Sequence, residues 1–290
     1  MTNSSLSYAL KAAGFSAVAL ALAGCGCSSE PAAGEGAKEP ATVSYSPNDV
    51  PAIQARALEA FAAGDLEVAD AEFRRLTEDR SIPREAMSAG WDGRGVIAAK
   101  RISGKAAPST LADEARCAFL KALVLDPGNG AARYNLASLY RDAFGYSHAA
   151  YVLFGQFSDR EADGERAVKA RGYAKKLALQ AKSRRAKAKK LSKIRKTAEA
   201  FAWEEHSWND AKANARHAEN LTTAKMDAAK SKEKLLAAAL GSEILAERDP
   251  SDAKSLALMA KVLARDLRAA GLAERAKVYE EFVGFLSGLK

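Results

Sequence analysis

The sequence predicts an all-α protein, and three features carry that expectation. Alanine supplies 65 of the 290 residues, and it is the strongest helix former and a poor strand former. Aromatic residues make up 7% of the chain, a thin supply for the core of a β-sandwich or barrel. No proline falls between 128 and 249 and no glycine between 173 and 240, so neither breaker interrupts a run of 68 residues. With 48% hydrophobic and 28% charged residues the chain is globular rather than disordered, and its length suits about two domains.

The first element in the chain is an address. Residues 12–23 form an uncharged apolar run of 12, too short to cross a bilayer as a helix. Lys11 stands before it and small residues close it, the order of a secretory signal peptide. The run ends in Leu22-Ala23-Gly24-Cys25, which resembles the lipobox of bacterial lipoproteins at all four positions. In that family the cysteine thiol receives a diacylglycerol and the signal is cut just before it. The resemblance implies a signal peptide over 1–24, lipidation of Cys25, and a mature chain anchored by palmitate-like acyl chains; two or more such chains hold stably where one is marginal. The implied location is extracytoplasmic, at the outer face of the plasma membrane or in the periplasm.

A lipidated tether follows over 25–50. Gly, Pro, Ser, Ala and Glu dominate it, leaving little apolar surface to bury, so disorder is expected. Ser46-Pro47-Asn48-Asp49 offers caps for the first helix. Cys25, Cys27 and Cys117 are the three cysteines, and they lack metal-ligand spacing. Cys117 reads as a small core residue, with a Cys27–Cys117 disulfide as the alternative outside the cytoplasm.

Residues 51–160 carry a repeat, and 235–290 carry a degenerate copy of it. Asp126-Pro127 and Asp249-Pro250 each close an apolar helical run, and an alanine follows each proline by ten residues, Ala137 and Ala260. Gly64, Gly145 and Gly271 each precede an alanine by five: Ala69, Ala150 and Ala276. Ala69 and Phe73, Ala115 and Phe119, and Ala150 and Phe154 are i, i+4 pairs that share a helix face. These residues resemble tetratricopeptide repeats. Ala115, Phe119, Ala122 and Pro127 match a second helix of that family, as do Gly64, Leu66, Ala69 and Phe73 in an earlier unit. Tyr134, Asn135, Leu136, Ala137 and Tyr140 match the next first helix, followed by Gly145, Ala150 and Phe154. Ala115 and Ala150 lie 35 residues apart, close to the family period of about 34. Ala69 and Ala115 lie 46 apart, which predicts an inserted loop over 104–110 with Ser109 or Thr110 as the next cap. The fold expected from the resemblance is an α-solenoid of helical hairpins. In that family the first helices line a concave partner groove, which here implies Tyr134, Asn135, Ser138 and Arg141.

The segment 161–234 breaks the repeat with a long basic helical insertion. Residues 165–197 hold 14 Lys or Arg and one acid, Glu165, against +8 for the whole chain. Val168, Tyr173, Leu177, Leu191, Ile194, Ala198 and Phe201 give a weak apolar seam, and the basic run interrupts it. Lys182, Arg184, Arg185, Lys187, Lys189, Lys190, Lys193, Arg195 and Lys196 are the candidate anion-binding residues. Anionic lipid or an anionic wall polymer suits the implied compartment; nucleic acid does not.

Chemistry is sparse. The chain has no Gly-rich phosphate loop, no nucleophile elbow, no His-Glu-x-x-His and no Cys-x-x-Cys. His206, Asp210 and His217 are spaced too widely on one helix to converge on a metal, and they read as a solvated face. Trp203 and Trp208 read as packing at a helix junction. No catalytic residue, metal or cofactor is expected, and the chain is not read as an enzyme. The function expected is a membrane-anchored scaffold for a protein or peptide partner in the cell envelope. The alternatives are an adaptor that holds anionic lipid or wall polymer through the basic helix, or a regulator of a cell-wall enzyme.

Overall fold

Among the described residues, helices that follow one another pack as pairs, and several of their turns reuse the same residue types. A computed structural model describes residues 49–79, 81–102, 109–161, 164–188 and 211–289, with side chains for all of these except 180–188 and 211–216. The protein is all-α: every regular element among the described residues is helical. None of these helices is long and apolar enough to cross a membrane. The chain divides into two compact units, Met1–Pro83 and Arg84–Lys290. That division falls inside the 51–160 block that the sequence presents as one run.

The first unit holds α1 (Val50–Ala63) and α2 (Leu66–Glu78). Pro51 sits in the first turn of α1, where its missing N–H leaves no hydrogen bond unmade. Gly64 ends α1 with φ of 85°, a left-handed conformation that costs glycine nothing. Asp65 then caps α2, its carboxylate accepting from the Val68 N–H at 3.1 Å. Ile53 and Ala57 of α1 and Ala69, Phe73 and Leu76 of α2 are buried, so the predicted Ala69–Phe73 face is packed.

The second unit runs through α3 (Arg84–Lys100), α4 (Thr110–Leu125), α5 (Gly130–Leu139), a π-helical turn (Tyr140–Phe144), α6 (Ser147–Arg160) and α7 (Glu165–Ala188). It continues with α8 (Ala211–Lys230), α9 (Lys234–Ala246), α10 (Ala253–Ala269) and α11 (Ala273–Ser287). Neighbours pack in sequence from α3 to α7 and from α8 to α11, and α11 returns to pack against α4. The turn devices of the first hairpin recur. Gly145 and Gly271 have φ of 68° and 80°, and Ala150 and Ala276, five residues on, are fully buried like Ala69. The Asp126 and Asp249 carboxylates fold back onto the chain, accepting from the Gly128 and Ser251 N–H groups at 2.8 and 2.9 Å. Ser109 caps α4 as its position predicts, accepting from the Ala112 N–H at 3.3 Å.

Small residues set how closely these helices approach. A Cβ on Gly95 of α3 would lie 2.5 Å from the Phe119 ring of α4, so this crossing needs a glycine. Among the described side chains of α7 the buried residues are Ala167, Ala170 and Leu177, whereas Val168 is 61% exposed. The expected seam holds at Leu177 and Tyr173 and departs at Val168, whose place on the buried face is taken by Ala167, about 100° around the helix. Burying alanine instead of valine lets α7 pack close against α6, where Tyr173 meets Phe154 at 5.3 Å between ring centroids.

Candidate functional site

The four residues expected to line a groove lie on α5 and at the start of the π turn, and three of them already have partners within the molecule. Tyr134 is half-buried, with its ring edge-to-face on Phe154 and Phe157 at 5.4 and 5.2 Å. Asn135 donates from Nδ2 to Asp92 Oδ1 at 2.9 Å. Arg141 pairs with Asp142 through two hydrogen bonds of 2.6 Å and lies 4.0 Å above the Tyr173 ring. Ser138 is half-exposed. Of the remaining expected residues, Cys25, Lys189, Lys190, Lys193, Arg195 and Lys196 lie outside the described residues. Lys182, Arg184, Arg185 and Lys187 fall on the last turns of α7, where only the backbone is described.

Deeper in the second unit the fold gathers polar side chains that sequence reading missed. Arg116 of α4 is fully buried. Its guanidinium donates to the Ser242 carbonyl at 3.2 Å and the Ser242 hydroxyl at 2.9 Å on α9. The rings of Phe144, Tyr140 and Tyr146 face it at 3.9, 5.3 and 5.5 Å. The π turn supplies Tyr140 and Phe144, and the cap position of α6 supplies Tyr146, to one cation; desolvated cation–π contacts are worth about 2 kcal/mol each. One turn earlier, the fully buried Asp113 carboxylate accepts from Arg275 Nε and the Tyr279 hydroxyl of α11, each at 2.5 Å. Burial also pushes the neighbouring Cys117 thiol up to about 12, so this free cysteine is protonated and unreactive at neutral pH.

A second buried cluster joins three helices. His148 is the second residue of α6, His217 lies in the second turn of α8, and Glu247 is the residue that ends α9. His148 Nδ1 and Glu247 Oε2 are 2.6 Å apart, and His217 Nε2 lies 3.5 Å from Glu247 Oε1. The two imidazoles are 4.5 Å apart between centroids. Burial raises the Glu247 carboxyl, but the hydrogen bond with His148 and the proximity of both imidazoles outweigh it and hold the group at about 2. His217 is 7% exposed, which corrects the solvated face expected for it. His206 and Asp210, its expected companions, lie outside the described residues. A sequence signal for this cluster was thin: its members lie 69 and 30 residues apart along the chain, and only tertiary packing joins them.

No protein-family model matches the chain, and no curated protein matches it in sequence.

Proposed function

We propose that the protein is a lipid-anchored, extracytoplasmic scaffold that binds a protein or peptide partner through tetratricopeptide-like hairpins. The observation that carries the anchor is Leu22-Ala23-Gly24-Cys25 closing a 12-residue apolar run. A chain of helical hairpins with glycine turns, buried alanines and Asp-Pro punctuation supports the repeat assignment. The absence of any catalytic motif in the sequence favours binding over catalysis. The experiment is membrane fractionation of cells that make either the wild-type chain or Cys25→Ala. Wild type should remain with the membrane after a high-salt wash, and the variant should accumulate as a longer precursor. Identical fractionation and length for the two would refute the anchor.

The groove is tested by a photo-crosslinking side chain at Ser138, which leaves the internal contacts of Asn135 and Arg141 in place. One discrete partner should be captured at Ser138 and not at an outward position of α1 such as Glu59. Capture equal at both positions would remove the groove from the account.

The exposed Lys175 and Lys176 on α7, opposite its buried alanines, support a second role in holding anionic lipid or wall polymer. Each Lys or Arg near an anionic membrane contributes roughly 1 kcal/mol. Binding to anionic vesicles should fall steeply with salt. Replacing Lys187, Lys189, Lys190 and Lys193 with Gln should remove most of it. Salt-independent binding would leave the basic run a structural element.

A further inference from the structure

We infer that His148, His217 and Glu247 form a site for one zinc-class divalent metal ion, tying α6, α8 and the end of α9 together. This inference does not depend on the anchor or the groove. One ligating atom from each residue falls within 4.8 Å of the other two. Two imidazoles and a carboxylate are the donor set of zinc sites that keep a fourth position for water. Magnesium and calcium prefer oxygen ligands throughout.

The second observation is the state of the polar atoms in the cluster. His217 is 7% exposed, yet among the described residues neither of its ring nitrogens has a hydrogen-bond partner, and Glu247 Oε1 has none either. Buried polar groups are nearly always paired, because leaving one unpaired forfeits its hydration without return. Here three atoms without a hydrogen bond share one cluster, and two of them, His217 Nε2 and Glu247 Oε1, face each other at 3.5 Å, a separation that suits an ion pair and falls short of a good hydrogen bond. A cation between them would partner both atoms at once. It would also replace the proton held between His148 Nδ1 and Glu247 Oε2, which would leave to solvent.

The geometry needs only small adjustments. Zinc–nitrogen distances of about 2.0–2.1 Å in a tetrahedron place ligand atoms roughly 3.3 Å apart. The 2.6 Å pair would open slightly, and the widest separation, at most 4.8 Å, would close by side-chain rotation. The three ligands come from three helices, so the ion would act as a cross-brace. It would hold α8, the first described helix after the basic run, to the hairpins on either side of that run.

The test uses the untagged full-length chain, purified, exposed to zinc and then dialysed. Elemental analysis should find one zinc per chain. Cobalt as a probe should give visible absorption of a tetrahedral nitrogen–oxygen site, which zinc then bleaches. Zinc at about a hundredfold above its dissociation constant should raise the melting temperature by roughly 5 °C or more. His217→Ala and Glu247→Gln should lose the bound equivalent, and His206→Ala should keep it. A wild-type chain that retains no zinc and shows no cobalt absorption overturns the site. So does undiminished zinc in a folded His217→Ala, or loss of zinc in His206→Ala. Should His217→Ala fail to fold, wild-type stoichiometry and the His206→Ala control decide the matter.

Discussion

Asp92 on α3 shows how a single buried charge registers in the stability of this fold. Burial raises its carboxyl from 3.8 to about 6, and the Asn135 hydrogen bond and the Arg166 charge offset only part of that rise. Between those two pH values the folded chain keeps a proton that the unfolded chain gives up. Stability therefore falls as pH rises through that window, and the loss is complete above about 6. The full span corresponds to roughly 3 kcal/mol. Asp92→Asn keeps an oxygen to accept from Asn135 and abolishes the ionisation. Urea denaturation should find the variant close to wild type at pH 4 and about 2–3 kcal/mol more stable at pH 7.5; the same difference at both values would exclude this cause. Asn135→Ala should act the opposite way at pH 7.5, because it strips the buried carboxylate of its donor. Asn135 thus has an internal task that the sequence, which presented it as a groove residue, did not disclose.

Helix pairs and their turns were the most legible part of the sequence. Gly64, Gly145 and Gly271 mark turns with positive φ, and the Ala–Phe pairs at i, i+4 are buried as their spacing required. These features rest on local chemistry, which a sequence states directly. The buried clusters rest on contacts between residues far apart in the chain, such as Arg116 with Ser242 at a separation of 126, and no local pattern encodes those. Val168 was misplaced in the α7 seam, unlike Leu177 and Tyr173, for a related reason: a hydrophobicity pattern favours valine over alanine, while close helix packing favours alanine. Three glycines distinguish the roles that glycine takes here. Gly95→Ala should cost about 1–3 kcal/mol, because its Cβ would overlap the Phe119 ring. Gly271→Ala should cost about 1 kcal/mol through its positive φ. Gly155→Ala, inside α6 with nothing within 4 Å of the new Cβ, should stabilise by about 0.5–1 kcal/mol. Chemical denaturation of the three variants checks the order; a Gly155→Ala that destabilises as much as Gly95→Ala would contradict it.

Taken as a whole, the second unit is held by its return contact. α11 packs on α4, and the buried Asp113 carboxylate binds Arg275 and Tyr279 across that contact. Asp113→Ala leaves Arg275 and the Tyr279 hydroxyl unpaired and should cost about 3–5 kcal/mol; a cost below about 1 kcal/mol would assign the closure to apolar packing alone. The proposed role sets this helical body on a tether beginning at a lipidated cysteine, so the anchor decides where any partner is met. Intact mass spectrometry of the chain extracted from bacterial membranes tests that claim most directly. The mature protein should begin at Cys25 and carry added acyl mass; an unmodified chain that still begins at Met1 would rule out the anchor.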